Sequence, residues 1–251
     1  MKVLSIGNSF SQDAQAYLPK LAIAGGKELL LGNLYLPGAS IEDHYRNYID
    51  EEEVYTYENY LPGETEAYKP DGIALHEAVE DEDWDVITLQ QCSKLSGIKE
   101  SYTPYLAEVA AYCRMMHPDA KIMLHQTWAY EKGCPLPEFK ENYDRDQDKM
   151  YSMLTECYAE AAREAEIDII IPTGRAWQTA RQTKIGDRLT RDGYHGNELG
   201  QFLGSCCFYE MIFGESAVDN PFVLPEFDEN VSNLLKVCAH IACEEGIIKH
   251  Q

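Results

Sequence analysis

Short continuous apolar runs alternate with stretches of helical apolar spacing along nearly the whole chain. Lys2 to Gly7 opens with a strand-like run, and Ser11 to Ala24 follows with Ala14, Leu18, Leu21 and Ala22 on one helical face before Gly25-Gly26. Leu29 to Leu36 reads as a second strand ending at Pro37-Gly38, followed by a short helix from Ile41 to Ile49. "WDVITLQQ" and "KIMLHQT" are almost wholly apolar until their last residues, the signature of parallel strands covered on both faces. "IDIII" gives a fifth strand, stopped by Pro172. Between and after these strands the pattern predicts helices at Ala74 to Glu80, Tyr105 to Met116, Asp146 to Ala165, Gly174 to Thr183, Glu198 to Phe213 and Val231 to Cys243. Trp128 to Tyr143 reads as a long loop. Residues 51 to 71, with alternating aromatics and Pro/Gly punctuation, read as an inserted hairpin.

Five strands alternating with helices predict an α/β fold with right-handed crossovers and a central five-stranded parallel sheet. No repeat or long linker divides the sequence, so a single domain over residues 1–251 is expected, with the hairpin as an insertion. In such sheets ligand sites form beyond the carboxyl ends of the strands. Four segments fall there: "GNSF" with Ser9, "PGAS" with Gly38, "QQCS" with Gln91, and "HQTW" with Gln126 and Trp128.

Composition narrows the partners. The formal charge is −22, which repels phosphate backbones and anionic lipid heads and argues against nucleic acid or a membrane surface. No apolar stretch approaches the ~20 residues of a membrane span. No basic segment with an apolar core precedes the first strand, so the sequence as it stands reads as cytoplasmic, or as secreted or periplasmic if a leader has been removed. The eight cysteines form no C-x-x-C pair and no zinc spacing, and most read as reduced core residues. No metal and no cofactor is implied.

The chemistry-bearing segment is "RDGYHGNELG", residues 191 to 200. Asp192 and His195 are three apart in a turn-forming context just before a helix. A serine hydrolase needs a nucleophile, an imidazole base and a carboxylate that fixes the base's tautomer. Ser9 at a strand-to-helix junction supplies a candidate nucleophile whose own N–H can face a developing oxyanion. Gly38 offers a second unobstructed N–H, and Gln90 or Gln91 a third donor. Each has a plainer reading: Ser9 as a helix cap, Asp192 as an Asx-turn residue before Gly193, Gly38 as a turn glycine, and Gln90 and Gln91 as partners of strand-end backbone. His125 reads as a core histidine. Gln126, Trp128 and Tyr194 stand at the same rim and offer a surface for a sugar face, although packing is the favoured reading of Trp128.

With these segments in place the sequence resembles the SGNH, or GDSL-like, hydrolases. The resemblance rests on "GNSF" with Ser9, a glycine after the second strand, a polar position after the third and D-x-x-H near the end, in that order, over roughly Lys2 to Phe213. It implies a flavodoxin-like three-layer α/β/α sandwich, a Ser9-His195-Asp192 triad without a cofactor, and hydrolysis of small acyl esters, often acetyl groups on carbohydrates. One departure stands out. The family's third block usually supplies an asparagine to the oxyanion hole; here "LQQCSKLSG" occupies it, as in a bacterial branch with a similar Leu-Gln stretch, and Gln91 is the expected substitute. A non-catalytic carbohydrate-binding protein on the same fold is the first alternative. A nucleotide or phosphate binder using "GNSFS" is the second, weakened by the absence of a P-loop lysine and by the charge.

Overall fold

The computed structural model describes residues 1–244, so the last seven residues of the expected domain lie outside the described residues. The elements run β1 (Lys2–Gly7), α1 (Ser9–Gln15), α2 (Leu18–Ala24), β2 (Leu30–Tyr35), α3 (Ile41–Ile49), β3 (Tyr55–Tyr60), β4 (Asp71–Ile73), α4 (Leu75–Glu80) and β5 (Val86–Leu89). Then follow α5 (Tyr105–Met116), β6 (Lys121–His125), α6 (Pro137–Tyr143), α7 (Gln147–Glu164), β7 (Ile169–Ile171), α8 (Thr173–Arg181), α9 (Glu198–Phe213) and α10 (Glu229–Cys243).

The strands form one sheet in the order β4-β3-β2-β1-β5-β6-β7. The five strands from β2 to β7 in that order pair in parallel, with Val3 to Ile6 of β1 flanked by Leu31 to Leu34 on one side and Val86 to Leu89 on the other. This is the expected three-layer α/β/α sandwich. Among the described residues the sheet has seven strands rather than five, because β3 pairs antiparallel with the β2 edge and β4 with β3. That edge would otherwise leave a row of unpaired backbone groups. Helices α1, α2, α8, α9 and α10 cover one face; α3, α4, α5 and α7 cover the other. Val3, Leu4, Ile87, Leu89 and Leu124 are inaccessible to solvent, as a sheet covered on both sides requires. Among the described residues no helix is long and apolar enough to cross a membrane.

Two local departures from the sequence pattern have simple causes. The apolar stripe from Ser11 to Ala24 is broken between α1 and α2. Pro19 carries no amide hydrogen and is tolerated only in a first turn, so a new helix starts there. The Tyr17 amide at the break donates to Ser205 Oγ on α9 at 3.0 Å. The expected loop from Trp128 to Tyr143 contains α6, which begins at Pro137 for the same reason.

Buried charge between the layers is paired at the hairpin. The hairpin strand β3 carries Glu58, 2% exposed, whose carboxylate accepts from Gln12 Nε2 on α1, Asn33 Nδ2 on β2 and Lys69 Nζ. Asn33 Oδ1 in turn accepts from Ser11 Oγ. A buried carboxylate is tolerable only when paired and hydrogen-bonded, and here those bonds fix α1 against β2.

Candidate active site

The parallel strands have the order 2-1-3-4-5 when counted among themselves, so connections leave in opposite directions beside β1. A crevice is expected beyond the carboxyl ends of β1 and β5. A cavity of about 410 Å³ lies at that place. Its walls include Ser9, Gly38, Ser93, Tyr130, Tyr194 and His195.

Ser9 is the first residue of α1, set by a compact turn. Asn8 caps the helix: its Oδ1 accepts from the Phe10 amide at 3.0 Å. Gly7 is needed because a Cβ there would lie 2.6 Å from Ser11 Oγ. The Ser9 amide has no acceptor among the described residues, as expected at a helix start. Gly38 closes a turn in which the Ala39 amide donates to the Leu36 carbonyl. Its φ of 66° with Pro37 before it marks a type II turn, a geometry in which glycine is favoured.

The base arrives on the loop before α9. His195 Nε2 lies 2.9 Å from Ser9 Oγ, and Nδ1 lies 2.7 Å from Asp192 Oδ2. A carboxylate only accepts, so Nδ1 carries the proton and Nε2 is free to accept from the serine hydroxyl. The other carboxylate oxygen of Asp192 accepts from the amides of Tyr194 and His195 at 3.1 and 2.8 Å. One side chain therefore makes the Asx turn and orients the imidazole. Partial burial would raise the Asp192 carboxyl, but the His195 and Tyr194 amides and the His195 ring outweigh it and hold it below its ordinary value. Gly193, at φ 99°, allows the turn to pass Cys134, whose Cα a Cβ there would approach to 2.9 Å.

This loop is clamped to the nucleophile's helix. Asp13, one turn after Ser9 on α1, is 3% exposed. Its carboxylate accepts from Arg191 Nη1 at 2.9 and 3.1 Å, from the Gly196 amide at 2.8 Å and from Gln201 Nε2 at 2.9 Å. Arg191 and Gly196 bracket Asp192 and His195, so both ends of the D-x-x-H turn are tied to α1. The sequence carried one signal for this: an aspartate on a helix whose neighbours Phe10 and Ala14 are buried requires a cationic or amide partner. Asn8, Asp13, Arg191 and Ser93 are the site residues that sequence reasoning missed.

Four expected site residues do not line the cavity. Gln91, expected in the oxyanion hole, is inaccessible: its Oε1 accepts from the amides of Ile41 and Cys92, and its Nε2 donates to the carbonyl and hydroxyl of Ser101. Gln90, expected at substrate, is 1% exposed and spans Asn8 Oδ1 at 2.6 Å and His125 Nδ1 at 3.1 Å. Gln126 is 5% exposed and accepts from the Arg175 amide. Trp128 is fully buried, stacked between Phe10 and Trp177 at centroid distances of 4.4 and 4.3 Å. Its Nε1 donates to the Tyr194 carbonyl at 2.8 Å, so it supports the base loop from beneath. All four lie one layer below the rim, held there by these bonds and stacking contacts, and residue type alone does not reveal which strand-end side chains face out. Tyr194 does face the cavity, with its ring 4.2 Å from that of His195.

A family model described as a domain of unknown function, DUF4886, matches residues 2–242. A DUF4886 family protein from Bacteroides uniformis is 35% identical, covering 99% of this chain and 97% of its own, with a TM-score of 0.94. A lipase/acylhydrolase from Enterococcus faecalis is 15% identical over 85% of this chain and 95% of its own, with a TM-score of 0.56. A proposed SGNH hydrolase from Slackia heliotrinireducens is 20% identical over 84% of this chain and 98% of its own, also at 0.56. The last two likenesses establish a shared fold. No curated protein matches the chain.

Proposed function

The chain belongs to the DUF4886 family, and on that premise we propose that it is a serine esterase of SGNH type acting through an acyl-enzyme. The observation that carries this reading is the unbroken chain of hydrogen bonds from Ser9 Oγ through the His195 ring to Asp192, opening on a cavity. Ser9 Oγ attacks the ester carbonyl as its proton passes to His195 Nε2. Asp192 stabilises the imidazolium without taking its proton. The carbonyl electron pair moves to oxygen, facing the amides of Ser9 and Gly38. Collapse breaks the bond to the alcohol, which leaves with the proton from Nε2, and water repeats the sequence on the acyl-enzyme.

The cavity admits a small acyl group such as acetyl together with its alcohol, and Tyr35 and Tyr194 at its wall offer amphipathic faces to a carbohydrate. The test is labelling by a fluorophosphonate and hydrolysis of p-nitrophenyl acetate. Labelling is expected at Ser9 and absent from Ser9→Ala, and Ser9→Ala and His195→Ala are expected to lower kcat by on the order of 10⁶-fold. Folded wild-type protein that neither labels nor hydrolyses the ester refutes the enzyme. Saccharide binding by such an inert protein would establish the alternative, a carbohydrate-binding protein on this fold.

A further inference from the structure

The Gln91 amide at the carboxyl end of β5 is fully committed, so it does not serve an oxyanion on the side of β1 opposite Gly38. Gln91 gives both amide hydrogens to Ser101, Gln90 gives one to Asn8, and Asn8 gives one to the Ala39 carbonyl; all three are buried. Beyond Gln91 the chain turns through Cys92 into a short 3₁₀ segment, Ser93–Leu95, and Ser93 lines the same cavity as Ser9 and Gly38. The sheet order places these three on adjacent strand ends, β2, β1 and β5. Asn8 and Gln90 bond those ends directly to one another.

The Ser93 hydroxyl is held by a neighbouring side chain. Its Oγ lies 2.9 Å from the hydroxyl of Tyr130. Tyr130 is fully buried, and burial pushes its phenol well up, so it is a neutral O–H. Ser93 Oγ is the acceptor available to that O–H among the described residues, and a buried hydroxyl hydrogen is almost always donated. With Tyr130 donating and Ser93 accepting, the Ser93 hydroxyl hydrogen is free for a group in the cavity.

Resting on the esterase reading above, we propose that Ser93 is a catalytic residue, its hydroxyl completing the oxyanion hole as the donor that Gln91 does not supply, with Tyr130 as the positioning residue behind it. In the tetrahedral intermediate the carbonyl oxygen receives three hydrogen bonds, from the Ser9 and Gly38 amides and Ser93 Oγ. No proton leaves Ser93; the transferred proton stays on His195 Nε2.

The test compares p-nitrophenyl acetate hydrolysis by wild type, Ser93→Ala, Ser93→Thr and Ser93→Ala/Tyr130→Phe. Ser93→Ala is expected to lower kcat about 100-fold with little change in KM, the behaviour of a donor used mainly in the transition state. Ser93→Thr keeps a hydroxyl and should recover most of that loss. Ser93→Ala alone leaves the Tyr130 phenol without an acceptor, whereas the double variant removes both partners. The double variant should regain thermal stability while its kcat stays low, which separates catalysis from folding. A Ser93→Ala enzyme within threefold of wild-type kcat overturns the proposal while leaving the esterase standing. A wild type that neither hydrolyses nor labels overturns both.

Discussion

The loop from Thr190 to Gly196 and the carboxyl end of β5 both face Ser9, yet they are built on opposite plans. The loop is short-range and ionic. Asp192 makes its turn and orients His195 within four residues, and Asp13 and Arg191 pin the result to α1. The β5 end is long-range and neutral. Thr173 Oγ1 donates to His125 Nε2, His125 Nδ1–H to Gln90, Gln90 to Asn8, and Asn8 to the Ala39 carbonyl, joining the start of α8, β6, the ends of β5 and β1, and the turn after β2. A local motif carries its geometry in its spacing, whereas a network across strand ends acquires its geometry only when the sheet assembles.

The sharpest way to break this contrast is at the clamp. Asp13→Asn keeps the size of the side chain but presents an amide where Arg191, the Gly196 amide and Gln201 all donate. The loop should lose its fixed distance to Ser9 although Asp192 and His195 are untouched. A displacement on the order of 1 Å costs roughly 100-fold in rate, so kcat for p-nitrophenyl acetate is expected to fall by about that factor. Fluorophosphonate labelling of Ser9 should slow in parallel. A folded Asp13→Asn protein with kcat within threefold of wild type would show that the D-x-x-H turn holds its place unaided.

Gln91 tests the other plan. Removing its amide in Gln91→Ala leaves the Ile41 and Cys92 amides without their acceptor and Ser101 without its donor. The expected loss is about 2–3 kcal/mol of unfolding free energy in urea, with kcat of the folded protein within about threefold of wild type. A large fall in kcat at unchanged stability would return Gln91 to the oxyanion hole.

These two residues mark where the sequence was readable. The parallel strands, helix α9 and the D-x-x-H turn follow from patterns a few residues long, so periodicity and spacing reveal them. The antiparallel strands β3 and β4 read as an inserted hairpin, but their attachment to the β2 edge depends on pairing with residues some 25 positions earlier. Gln90, Gln91, Gln126 and Trp128 are candidates for the site in sequence because they end strands that point at it, beside the plainer readings of backbone partner for Gln90 and Gln91 and packing for Trp128. Whether a strand-end side chain faces out or down is fixed by the twist of the sheet and the alternation of the strand, which the residue types do not encode. Asp13 is the converse case, a charge on a buried helical face whose partners lie some 180 residues away.

Acid separates the two plans least drastically but most cleanly. Burial lowers His125 from 6.5 to about 3 and His44 from 6.5 to about 4. Both are neutral in the folded protein over a range where the unfolded chain binds protons, so each contributes stability that is complete above pH 6.5 and is lost as the pH falls towards the folded value. Between pH 6.5 and about pH 5 the loss is about 2 kcal/mol per histidine. Carboxylates such as Asp192, held below their ordinary 3.8, change stability only at lower pH. His240, raised first by its hydrogen bond to Glu210, contributes fully below 6.5 and changes above that interval. His44→Phe, which keeps an aromatic ring against Tyr55, should therefore show half the wild-type decline in urea, and the remainder belongs to His125. A stability independent of pH across this interval would mean that His125 is not the neutral link that joins Thr173 to Gln90, and the long-range network would lose its central member.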